Sequence, residues 1–277
     1  MIFRALAVTR PTPCCRAHPM KTKQEIAENW LPRYTGCPLE AFGDYILLCN
    51  FQSYLKRFAE TYNVPICGQD KPMACATHEG VTLINFGIGS PSAATIVDLL
   101  SSIRPKAIVF LGKCGGVKHR AKVGEYILPI AAIRGEGTSN DYFPPEVPAL
   151  PSFALQRTIS SAIKEHGSDY WTGTIYTTNR RVWEHDEAFH AYMRRIRVMA
   201  VDMETATIFT TSFHNDIPVG ALLLVSDQPL YPEGIKTADS DKAVDDSHLM
   251  AHLSIGFESV MKLKNNSRTL KHLKFDT

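Results

Sequence analysis

The strongest constraint on how this chain folds is a repeated pattern: short unbroken apolar runs alternate with longer, helix-like stretches along most of its 277 residues. The runs in YILLCNF (45–51), KAIVFLGKCGG (106–116) and GALLLVSDQPL (220–230) leave no polar side, which marks strands buried on both faces. GVTLINFGIG, EYILPIAAIRGEG, WTGTIYTTN and RVMAVDM continue the series. Between them, SYLKRFAETY, SAATIVDLLSSI, PSFALQRTISSAIKEHG, HDEAFHAYMRRI and ETATIFTTSFHN read as helices. Ser90 or Ser92 is suited to cap the second of these, and Pro151 and Ser152 to open the third. From Asp241 a last helix carries Met250, Leu253, Phe257 and Val260 on one face. Such alternation predicts an α/β fold with one central mixed β-sheet flanked by helices.

A chain of this length can bury a core large enough for a single domain, expected over residues 20–277. Residues 1–19 hold Arg4, Arg10 and Arg16, no acid, and three prolines. They are expected to be a disordered leader, or upstream sequence ahead of a start at Met20, after which KTKQEIAENWLPRY reads as an amphipathic helix. A formal net charge of +2 gives no reason to expect nucleic acid or a membrane surface as partner. No apolar stretch is long enough to span a bilayer. Seven cysteines without a C-x-x-C pair suit reduced thiols in the cytoplasm. His78, His119, His185 and His190 are too scattered for a ligand set, so neither metal nor cofactor is expected.

In sheets of this kind ligands bind beyond the carboxyl ends of the strands, which says where to look. The expected strand ends deliver Gly87-Ile88-Gly89-Ser90, Gly112-Lys113-Cys114-Gly115-Gly116, Thr178-Asn179-Arg180-Arg181, Met203-Glu204 and Ser226-Asp227. Singly, each has a plain structural reading. Glycines turn chains, Glu204 suits a helix first turn, Asp227 suits a turn before Pro229, Arg180-Arg181 suits a solvated face, and Trp183 suits packing. Their recurrence at strand ends points instead to a small anionic ligand, with two carboxylates for acid/base and hydroxyl-binding work.

The motif V-D-M-E-T-A-T at 201–207, followed by V-S-D at 225–227, resembles the nucleoside phosphorylase and nucleosidase superfamily, as do G-x-C-G-G at 112–116 and E-G-T-S at 136–139. Within it, G-K-C-G-G-V, T-T-N-R-R-V-W-E, V-S-D-Q-P-L, H-L-S-I-G and L-K-H-L-K-F are similar to the catalytic domain of the AMP nucleosidases, over essentially Tyr45 to the C-terminus. The chain looks like a short form of that group, without the extra N-terminal domain of its longer members. Phosphorylases of the superfamily tend to place Gly-Asp-Pro-x-Arg after the first strand to hold the attacking phosphate. Here the stretch is Cys49-Asn50-Phe51-Gln52-Ser53, with no arginine, which favours water as nucleophile.

The resemblance implies hydrolysis of AMP to adenine and ribose 5-phosphate. Asp227 is then the acid at the base, with Ser226 orienting it, and Glu204 binds the ribose hydroxyls, with Met203 against the ribose and Trp183 against the base. Lys113 and Arg181, with Arg180 and Arg134 behind them, are the expected phosphate cations, and Gly89 and Gly112 are expected to let backbone approach the substrate. Glu184 is a candidate base for water. A homo-oligomer, trimer or hexamer, is implied as well, with E-G-T-S and Tyr142 near a subunit contact. Two other readings stand beside this one: a phosphorylase or nucleosidase acting on unphosphorylated nucleosides, and a non-catalytic purine-nucleotide binder that would have lost one of the two carboxylates.

Overall fold

The computed structural model describes residues 20–265; the expected leader and the L-K-H-L-K-F motif at 270–275 lie outside them. Helix α1 (Lys23–Thr35) starts on a capping box, in which Thr22 Oγ1 accepts the Glu25 N–H and the Glu25 carboxylate accepts the Thr22 N–H. There follow β1 (Tyr45–Cys49), α2 (Gln52–Tyr62), β2 (Cys75–His78), β3 (Val81–Asn85), α3 (Ser90–Leu100), β4 (Ala107–Gly116) and β5 (Tyr126–Gly135). The chain continues through α4 (Phe153–Glu165), β6 (Tyr170–Thr178), α5 (Glu187–Arg195), β7 (Ala200–Asp202), α6 (Thr205–His214), β8 (Val219–Asp227) and α7 (Ala238–Asn265). The fully apolar runs are strands, as expected. The edge strand β2 carries no such run and is held by antiparallel pairing with β3.

The eight strands form one mixed sheet in the order β2-β3-β1-β4-β7-β6-β5-β8. β8 also pairs in parallel with β4, so five strands close a ring, β4-β7-β6-β5-β8. Closure is helped by the length of β4, β5, β6 and β8, nine or ten residues each, and by two register shifts, one where Ser226 of β8 is extra opposite Cys114/Gly115 and one in β5 between Pro129 and Ala131. Both faces are covered. Ile46, Leu48, Ile108 and Phe110 pack with residues of α1, α3 and α6, while the intervening Leu47, Val109 and Leu111 pack with α2, α4 and α7. Period-two alternation between two cores is what an all-apolar strand predicts. A third cluster, with Trp183, Met193 and Leu230, packs α5 against the strand ends.

Two local expectations are revised. The N-cap of α3 is Gly89, not a serine side chain: the Ser90 hydroxyl donates instead to the Met203 carbonyl at 2.6 Å. α7 begins at Ala238 rather than Asp241, and Met250 is partly exposed while Leu253, Phe257 and Val260 are buried. No helix among the described residues is long and apolar enough to cross a membrane.

Candidate active site

The carboxyl ends of β1, β4, β6, β7 and β8 meet at one open cleft. Seven of the nine expected site residues line it: Lys113, Arg181, Trp183, Met203, Glu204, Ser226 and Asp227. Gly89 stands just behind, its N–H 2.7 Å from Glu204 Oε1. Gly112 does not line the cleft. A Cβ there would come within 2.5 Å of Phe110 and 3.0 Å of Leu223, so this glycine serves close packing of β4.

Glu204 is held at the junction of β7 and α6. The neighbouring Asp202, which sequence reasoning passed over, does the capping: its Oδ2 accepts from the Thr205 N–H (2.8 Å), the Thr205 hydroxyl (2.5 Å) and the Glu204 N–H (3.3 Å). Its Oδ1 accepts from the Thr177 hydroxyl at 2.7 Å, tying β7 to β6. With the Thr205 N–H taken by Asp202 and the Ala206 N–H by the Thr177 hydroxyl, the Glu204 side chain is free to turn into the cleft. There it accepts from Gly89 at the amino end of α3, which favours negative charge. Burial, then the charge of Asp202, push the Glu204 carboxyl up to about 8, against the pull of Gly89, Asn50 and Met203. A cationic group beside it would favour its ionised form.

Asp227 ends the buried strand β8. Its Oδ1 accepts from the Ser226 hydroxyl at 2.6 Å, and Ser226 in turn reaches the Cys114 carbonyl at 3.4 Å. Burial raises its carboxyl, opposed by Lys236 and by the Ser226 hydroxyl. Gly115 leaves room for this arrangement, since a Cβ there would meet the Pro229 ring at 2.7 Å and Asp227 Oδ2 at 3.5 Å. A rigid, partly desolvated carboxyl is suited to giving a proton to a leaving group near neutral pH.

The cations are arranged differently from expectation. Lys113 is buried and its Nζ is held between Asp245 (2.6 Å) and Asp241 (3.0 Å) of α7, 4.5 Å from the centre of the Phe51 ring. It ties α7 to β4 rather than waiting for an anion. Arg134 is spent on the loop after β5, donating to Ser139, Asn140, Phe143, Pro144 and Val147. Arg180 pairs with Asp186 at 2.9 Å, and Arg181 with Glu184 at 3.2 Å. Glu184 also accepts the Trp183 N–H. Trp183 is edge-on to Phe189 and walls the cleft. Two further lining residues escaped the sequence reading: Lys236, ahead of α7, and Asn50, buried at the end of β1 with its Oδ1 unpartnered. Only their meeting across the cleft marks them, and no local motif signals that.

Residues 44–252 match the model of the phosphorylase superfamily. The chain is 29% identical to the AMP nucleosidase of Escherichia coli K12, over 89% of this chain and 60% of that protein, so it spans less than two thirds of that relative's length. It is 57% identical to the crystal structure of AMP nucleosidase from Bacteroides thetaiotaomicron, with a TM-score of 0.80 over 89% of this chain and all of that one. Uridine phosphorylase from Vibrio fischeri, at 21% identity and a TM-score of 0.72 over 81% of this chain and 94% of that one, shares the fold.

Proposed function

The chain belongs to the phosphorylase superfamily, and from that premise we propose that it hydrolyses the N-glycosidic bond of AMP to adenine and ribose 5-phosphate. One observation carries the reading: a buried carboxyl, Glu204, and a largely buried one, Asp227, face the same cleft, and no arginine stands in the Cys49–Ser53 stretch to hold a phosphate nucleophile.

Asp227 protonates N7 of adenine as the C1′–N9 bond stretches, so that the base leaves neutral. The sugar becomes oxocarbenium-like, as in glycoside hydrolysis generally. Glu204 accepts from the ribose hydroxyls, and the growing positive charge beside it stabilises its ionised form. Met203 packs against the ribose, and Trp183 walls the base. Water attacks C1′. Asn50, whose buried Oδ1 has no partner, is the acceptor that orients it. One water proton returns to Asp227 through solvent, which restores the acid. Glu184 is already engaged with Arg181 and is not needed as a base. Arg181, largely exposed at the rim, supplies positive potential for the anionic substrate. The same reading includes a cytoplasmic homo-oligomer, trimer or hexamer, which light scattering of purified protein checks.

The test is base release from AMP and adenosine in phosphate-free buffer. Adenine from AMP without added phosphate, lost in Asp227→Asn, is the expected result. Release from adenosine only when phosphate is present would replace hydrolysis with phosphorolysis.

A further inference from the structure

We propose that Lys236 is the group that selects a 5′-phosphorylated substrate, by leaving Asp227 for the 5′-phosphate when the nucleotide binds. The proposal rests on the hydrolytic reading above and deepens it.

Among the described residues, four cations line the cleft: Lys113, Arg180, Arg181 and Lys236. The first three each donate a hydrogen bond to a carboxylate, at 3.0, 2.9 and 3.2 Å. Lys236 differs. Its Nζ stands 3.6 Å from Asp227 Oδ1 and 3.5 Å from Asp241 Oδ1, both longer than the ~2.7–3.2 Å of a formed N–H···O bond. It is thus attracted to two carboxylates and bound closely to neither. Its side chain is 19% exposed, enough to move on a flexible stem.

Withdrawing Lys236 strands no group. Asp241 keeps Lys113 at 3.0 Å, and Asp227 keeps the Ser226 hydroxyl at 2.6 Å. The chemistry of the ligand supplies the destination. In an anti purine 5′-monophosphate, N7 and the phosphate lie on the same side of the molecule, close enough to share one cation. A lysine beside the carboxyl that faces N7 is therefore beside the phosphate as well. A phosphate dianion competes effectively with a single carboxylate for an ammonium group. Once Lys236 has turned to the phosphate, the charge that opposes the effect of burial on Asp227 has gone, and Asp227 is the better acid. Adenosine offers no such exchange. Lys236 then stays by Asp227, so selectivity appears in turnover as well as in binding.

The experiment compares kcat and KM for AMP and for adenosine in wild type, Lys236→Met and Lys236→Arg. The expected result for Lys236→Met is a fall of at least tenfold in the ratio of kcat/KM for AMP to that for adenosine, with kcat for AMP reduced as well as KM raised. Lys236→Arg, which keeps the charge, restores most of the ratio. A purely structural lysine would lower both substrates together and leave the ratio unchanged, and that result overturns the proposal while hydrolysis by the wild type still stands. Wild-type protein that releases no adenine from AMP overturns both.

Discussion

At the scale of single residues, two carboxyls are given opposite tasks by their surroundings. In the proposed reaction Asp227, which accepts from the Ser226 hydroxyl, donates the proton, and Glu204, which accepts from the Gly89 N–H, carries charge opposite the sugar. Asp227→Asn is expected to lower kcat for AMP by about 10²–10⁴, the usual worth of a general acid. With a nitrophenyl riboside 5-phosphate, whose leaving group needs no proton, the loss should nearly vanish; equal losses on both would count against the assignment. Glu204 makes a separate prediction about stability. The folded chain holds its proton up to about pH 8, whereas the ordinary glutamate value is 4.5. Folding therefore binds a proton between those values, and stability falls as pH rises through that window. The melting temperature of the wild type should drop, relative to Glu204→Gln, between pH 5 and pH 9. A constant difference across that range would contradict the burial argument. Both carboxyls were legible in the sequence because each stands at or just past the end of a strand. Asn50 and Lys236 were not, because they reach the cleft only through the fold; Asp202 was passed over although its contacts to Glu204 and Thr205 are local.

At the scale of elements, α7 is more than a cover for the core. Its C-terminal half packs Leu253, Phe257 and Val260 on the sheet, while its first turns bring Asp241 and Asp245 to Lys113. Lys113 is thereby a tie between β4 and α7, although its place in a glycine-rich strand end made it read as an anion ligand. Sequence shows the residue type and the strand end but not the two aspartates 128 and 132 positions later that claim its charge. Lys113→Met would leave those carboxylates without their buried partner, and a loss of ~3 kcal/mol in urea unfolding is expected. Amide exchange in 238–248 should quicken at the same time. An unchanged midpoint and unchanged exchange would show that the ion pairs do not hold the helix. The serine cap expected on α3 failed for a related reason: Ser90 is drawn to the Met203 carbonyl, which locks the ends of β7 and α3 together and leaves the Gly89 N–H for Glu204.

At the scale of the whole molecule, the alternation of apolar runs and amphipathic stretches announced an α/β fold with a mixed sheet, and that is the architecture found. Closure of five strands into a ring was not legible. It depends on strand length, on register shifts opposite Ser226 and between Pro129 and Ala131, and on pairing between β4 and β8, none of which hydrophobic periodicity encodes. The closure matters because it brings the ends of β4, β6, β7 and β8 around one cleft, where separate strand tips become a single site. The central claim about that site is that water, not phosphate, takes the ribosyl group. Phosphorus NMR of the protein acting on AMP with an equimolar amount of inorganic phosphate tests it most directly. The account predicts conversion of the AMP resonance to that of ribose 5-phosphate while the inorganic phosphate signal holds constant. Stoichiometric loss of inorganic phosphate, with two new resonances from a ribose bisphosphate, would contradict it.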